Sequence, residues 1–138
     1  MMNAPPFAGC PSMEGMPPEA LEKVAAYFQT LSEPTRLQIL NFLRSGERNV
    51  GELAQSCGCT SANVSRHLAM LTQRGLVIRE SRGTSVYYRI ADESVYGLCD
   101  LVCGNIARQL ERTAQGGAAF IRTTRRAAAG SRGKPPPR

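Results

Sequence analysis

The stretch "VGELAQSCGCTSANVSRHLAMLTQRGLVIRE", Val50–Glu80, decides the fold. Asn49 just before it, followed by Glu52, resembles a capping box. It opens a short helix in which Val50, Leu53, Ala54 and Cys57 share one face. Gly58 accepts the backbone angle of a tight turn. Thr60 caps a second helix, with Val64, Leu68 and Leu71 inward and Gly75 just past its end. Ala54 lets the two helices approach, and β-branched Val64 packs the second onto the first. This is the spacing of a helix-turn-helix. The outward set on the second helix is then Ser61, Ala62, Asn63, Ser65 and Arg66. Short polar groups and one guanidinium are what a recognition helix needs to reach base edges and phosphates. His67, the only histidine, lies beside inward Leu68. It is either a partly buried, hydrogen-bonded histidine or a further phosphate contact.

Working outward, the period becomes strand-like after Gly75. "LVIRES" (76–81) and "SVYYRI" (85–90) are β-branched and aromatic, joined around "RGTS". They predict a hairpin with Arg82 and Gly83 at its tip and with Arg79, Arg82 and Arg89 placed as a wing would place them. Upstream, Pro18 suits a first helical turn, and Leu21, Val24, Phe28 and Leu31 fall at helical spacing. Ser32 is the expected cap of a second helix with Pro34 early in it, Leu37, Leu40 and Leu43 inward, and Gly46 at its end. Downstream, Asp92 starts a last helix carrying Val95, Leu98, Cys99, Val102, Cys103, Ile106 and Leu110. The fold class is mainly α with a small β-hairpin, a winged helix-turn-helix. Residues 1–17 read as a disordered N-terminal arm, 18–112 as the winged-helix domain and 113–138 as a basic, disordered tail.

Charge separates these parts. The net charge is +6, yet after Glu111 there are seven basic residues and no acidic ones, so residues 1–111, with ten basic and eleven acidic, net −1. Basicity is therefore mostly a tail property. Within the domain it is local: Ser61–Ile90 carries five arginines against the single acid Glu80. No apolar run is long enough to cross a membrane, and the N-terminus does not read as a secretory signal, so the expected location is cytoplasmic. Five cysteines, an odd number, argue for thiols that pack or bind something rather than for a disulfide framework.

"YFQTLSEPTRLQILNFL", "VGELAQSCGCTSANVSRHLAMLTQRGLV" and "RGTSVYYRI" together resemble the ArsR/SmtB family of metal- and metalloid-responsive repressors, over about residues 19–112. The resemblance implies a homodimer joined through the first and last helices. It also implies double-stranded operator DNA as partner, Ser61–Gln73 as recognition helix, and release when an inducer binds. One departure stands out. Many members that sense arsenic or cadmium carry a Cys-x-Cys at the start of the first helix of the motif, where this chain has Asn49 and Gly51.

The available thiols lie elsewhere. Cys99 and Cys103, four apart on the last helix, share one face with backbones about 6 Å apart. They are the first choice for an inducer site. Cys57 and Cys59, the second choice, stand where relatives have buried aliphatic residues and are equally small apolar fillers. Cys10 is a further thiolate in the arm. With one histidine and scattered acids, an imidazole-carboxylate site for Zn, Ni or Co is hard to assemble. Sulfur-only ligation suits As(III) or Sb(III) first, then Cd, Hg, Pb or Cu(I). No permanent cofactor is expected.

Three other readings compete. A repressor of the same fold that senses oxidants or persulfide through two cysteines is one. In sulfide-sensing relatives one such cysteine lies in the second helix, where the comparable residue here is Asn41. An enzyme is disfavoured by the single histidine and the lack of hydrolase spacings. The last is a helix-turn-helix used only for protein contacts.

Overall fold

The computed structural model describes residues 12–113 and 122–123. Its elements run α1 (Pro18–Leu31), α2 (Pro34–Leu43), α3 (Val50–Cys57), α4 (Ser61–Gln73), β1 (Val77–Arg82), β2 (Ser85–Ile90) and α5 (Ser94–Glu111). The order and the antiparallel β1–β2 pairing are those of a winged helix-turn-helix. Most of the tail, and Cys10 with the first part of the arm, lie outside the described residues. No helix among the described residues is long and apolar enough to cross a membrane.

One core ties the helices to the hairpin. Ile39, Leu40 and Leu43 of α2 meet Leu53 of α3, Val64, Leu68 and Leu71 of α4, Val77 of β1, Tyr88 of β2 and Val95 of α5. The α2 face is turned from the expected one. Ile39 is fully buried, whereas Leu37 is 41% exposed. Pro34–Leu43 carries apolar residues around much of its girth, so spacing alone allows either set. Thr30 and Leu31 anchor α1, but Leu21 and Phe28 stay exposed.

The caps also sort out. The Asn49–Glu52 capping box is present in both directions, and Thr60 Oγ1 accepts from the Asn63 amide at 3.1 Å. The cap of α2 is Glu33, not Ser32: its carboxylate accepts from the Arg36 amide at 2.9 Å. Ser32 instead donates its hydroxyl to the Gln29 carbonyl and closes α1. Helix α2 ends at Leu43 and α5 begins at Ser94, whose amide donates to Asp92. The hairpin tip is Gly83–Thr84, and Arg82 is the last residue of β1, opposite Ser85.

Helix α5 is fastened at its beginning. Val95 is buried, the Tyr96 hydroxyl donates to the Leu40 carbonyl at 2.7 Å, and Arg44 lies 4.4 Å over the Tyr96 ring while pairing with Asp100 at 2.9 Å. Beyond this, Leu101, Val102 and Ile106 are exposed. An apolar helix face left in water marks an interface.

Candidate nucleic-acid interface and thiol pairs

The reading helix is set by its turn. Gly58 ends α3 with φ of 65°, the left-handed region, and the Cys59 amide donates to the Ala54 carbonyl at 3.0 Å. Thr60 then starts α4, and fully buried Val64, Leu68 and Leu71 fix its rotation. This leaves Ser61, Ala62, Ser65 and Arg66 exposed and Asn63 half-buried. Arg66 Nη2 donates to the Asn63 side-chain oxygen, so the guanidinium and the amide stand side by side on the outward surface.

His67 does not join that surface. It is 7% exposed and faces α2. A guanidinium can only donate, so Arg36 Nη1 at 3.3 Å makes His67 Nδ1 an acceptor. Glu33 Oε2 lies 3.8 Å from the same nitrogen. Arg36 also reaches the Thr30 carbonyl through Nε at 2.6 Å and the Met70 sulfur at 3.5 Å. One arginine thus links the end of α1, the start of α2 and the reading helix. Partial desolvation opposes ionisation of Glu33, but the Arg36 amide and the Arg36 charge hold its carboxyl below the usual range. The sequence left His67 open between a hydrogen-bonded, partly buried histidine and a phosphate contact, and the geometry matches the first. Its position one step from Leu68 turns it into the seam.

On the wing, Arg79 and Arg82 are both exposed. Among the described residues, Arg79 hydrogen-bonds only to the Ser81 hydroxyl, at 3.4 Å. Arg82 is engaged: both terminal nitrogens meet Glu47 at 2.6 Å, Nη2 meets Glu80 at 2.9 Å, and the guanidinium lies 5.1 Å over Tyr87. The hydrogen bond from Arg82 holds the Glu47 carboxyl below its ordinary value.

The four described thiols form two pairs, all free. Cys57 and Cys59 flank Gly58 and pack against the core, and Cys59 Sγ lies 3.5 Å from the Cys57 carbonyl. Burial pushes the Cys57 thiol up, and Cys59 adds to this. On α5, Cys99 is half-buried against the core and Cys103 is exposed. Burial likewise raises Cys99, with Cys103 adding to it and Arg44 opposing. Among the described residues, no three potential ligands gather in one subunit.

A family model described as "Bacterial regulatory protein, arsR family" matches residues 33–79, the block from the α2 cap into the wing. A repressor from Streptomyces lividans, named as a probable mercury resistance operon repressor, is 32% identical over 97 residues, covering 70% of this chain and 78% of that protein. The chain belongs to the ArsR/SmtB family of bacterial transcriptional repressors.

Other members agree. The regulator NmtR of Mycobacterium tuberculosis is 38% identical over 59% of this chain and 68% of its own length. A winged helix-turn-helix DNA-binding domain from Mycobacterium bovis, solved as a homodimer, superposes with a TM-score of 0.62 at 37% identity, covering 72% of this chain and 95% of that one. These relatives are regulators, and this ArsR/SmtB protein is a regulator rather than an enzyme. The positions of the missing Cys-x-Cys are occupied differently here. Asn49 is the N-cap of α3 and Gly51 an exposed residue of its first turn, so that helix start serves as a cap and offers no thiolate. The Arg36–His67 and Arg82–Glu47 links were not read from the sequence, because both join residues over thirty positions apart. Only the Glu33–Arg36 spacing carried a local signal, that of an N-cap.

Proposed function

We propose that this ArsR/SmtB protein is a cytoplasmic, homodimeric repressor that binds double-stranded operator DNA and releases it on binding a soft, thiophilic inducer through α5 thiolates. The domain that does this is residues 18–112, flanked by an arm and a basic tail. Reading falls to Ser61, Ala62, Asn63, Ser65 and Arg66 of α4, with the wing beside them. Dimerisation falls to α1 and α5. The homodimer of the M. bovis domain supports this, as do exposed Leu21, Phe28, Leu101, Val102 and Ile106.

One observation carries the inducer site. Cys99 and Cys103 lie on the helix whose apolar face has no partner within the subunit, one thiol half-buried and the other exposed. Pairing two such helices brings up to four thiols to one seam. Trivalent arsenic or antimony, which takes three thiolates in a pyramid, is the first choice. Cd, Hg, Pb and Cu(I) belong to the same soft class, and the mercury-named relative supports that class. An inducer acts only by differential affinity, and a coupling of ~1–3 kcal/mol would weaken operator binding roughly 5–150-fold. Cys57 and Cys59 are the second choice, and the same α5 dithiol in a redox or persulfide sensor is the alternative.

The test is a gel shift on reduced protein with and without antimonite, arsenite or cadmium. Cys99→Ser and Cys103→Ser should bind operator normally and fail to release it. Full inducibility of both, with loss of induction in a folded Cys57→Ser or Cys59→Ser protein, would move the site to the turn.

A further inference from the structure

The wing's three arginines differ in their surroundings. Arg82 is held by two carboxylates and an aromatic ring, whereas no carboxylate lies within 4 Å of Arg79 or Arg89 among the described residues. Glu47 precedes Arg48, whose amide donates to the Tyr88 carbonyl at 3.0 Å and whose carbonyl accepts from the Tyr88 amide at 2.8 Å. The α2–α3 linker is therefore bridged to β2 at this one residue pair. The register places Glu80 opposite Tyr87 and Arg82 two residues further along the same face of β1. Arg82 thus passes over Tyr87, on β2, to reach Glu47 on the far side. The guanidinium ties both strands of the wing to the linker that leads into α3.

We propose that Arg82 and Glu47 form a clamp that sets the angle of the wing against the helix-turn-helix, and that Arg79 supplies the wing's phosphate contact. This rests on the DNA-binding reading above and assigns roles within it. Arg82 is then a positioning residue. A guanidinium with both terminal nitrogens on one carboxylate has its fork filled, and a phosphate has to displace Glu47 to use it. Arg79, with one hydroxyl neighbour at 3.4 Å, can meet a phosphate without breaking an ion pair.

The experiment combines a salt series of operator affinities with amide exchange of the unbound protein. Arg82→Ala and Glu47→Gln should each weaken operator binding by about fivefold, the double variant no more than either alone, because one interaction is lost in all three. The slope of log affinity against log salt should be preserved in these variants and should fall by about 0.9 per subunit in Arg79→Ala. Without DNA, Arg82→Ala and Glu47→Gln should speed exchange at the Arg48 and Tyr88 amides, and Arg79→Ala should not. Tighter DNA binding by Glu47→Gln, or a shallower slope in Arg82→Ala, would overturn the clamp and make Arg82 a phosphate contact masked by Glu47. Unchanged exchange would also overturn it. Failure of the unmodified protein to bind any operator, with the exchange result intact, would overturn the function and leave the clamp.

Discussion

A buried imidazole that accepts from an arginine has no proton on that nitrogen, and this fixes what His67 can do. Its Nδ1 serves Arg36, and its 7% exposure keeps it from phosphates. His67→Ala should therefore leave the salt slope of DNA binding unchanged. It should lower folding stability by about 1–3 kcal/mol, the usual cost of leaving a buried partner unsatisfied, checked by urea denaturation. Glu33 offers a pH test of the same cluster. Its folded pKa is depressed, so its contribution is complete above the ordinary carboxylate value and is lost as pH falls through the depressed one. Glu33→Gln should thus lower the melting temperature at neutral pH and have little effect in strong acid. An equal loss at both ends of the range would show that the carboxylate charge is irrelevant there. The residues around His67 show where the sequence is silent. Leu68 and Val64 declare themselves by spacing, but a side chain at the edge of the apolar stripe can turn either way, and only Arg36 on another helix decides it.

Helices and turns were the most legible level, because their signals are local. The Asn49–Glu52 box, the Thr60 cap and the Gly58 turn each depend on residues within five positions. The errors share a cause. Ser32 and Glu33 are adjacent residues able to cap, and the choice depends on which one α1 uses for its own end. Leu37 and Ile39 compete for the core of a helix with apolar residues around much of its girth, and the direction from which α3 and α4 arrive selects Ile39. The "CGC" turn is where local structure meets function. Cys57→Ser or Cys59→Ser places a hydroxyl against the core beside the left-handed Gly58, at a cost of about 1–3 kcal/mol unless the hydroxyl finds a partner. Operator affinity should fall in these variants before any inducer is added. An inducer-only defect would show that the pair binds ligand.

Across the whole molecule, the inducer proposed for α5 has to act on the two α4 helices. In a dimer those helices must meet half-sites about one DNA turn apart, so a small movement at the α5 seam changes contacts on both sides. Val102, 46% exposed on α5, tests the seam directly. Val102→Glu should yield a folded monomer by sedimentation that has lost operator binding. The identity of the inducer can be argued from protons. Arsenite at neutral pH is As(OH)3. Each thiol that joins it forms an As–S bond and releases the hydroxyl as water, with no net proton. A divalent ion binding two thiols releases two protons, so its affinity rises about tenfold per proton for each pH unit below the thiol pKa. Burial raises the Cys99 thiol, which extends that dependence above the ordinary thiol value. Between about pH 6 and 8, where ordinary thiols are still protonated, the half-release concentration for arsenite should therefore be nearly constant. For cadmium or mercury it should fall steeply as pH rises. A steep arsenite dependence that disappears in Cys99→Ser would mean that a thiolate formed beforehand is the binding species, and would contradict exchange of hydroxyl for thiol at that site.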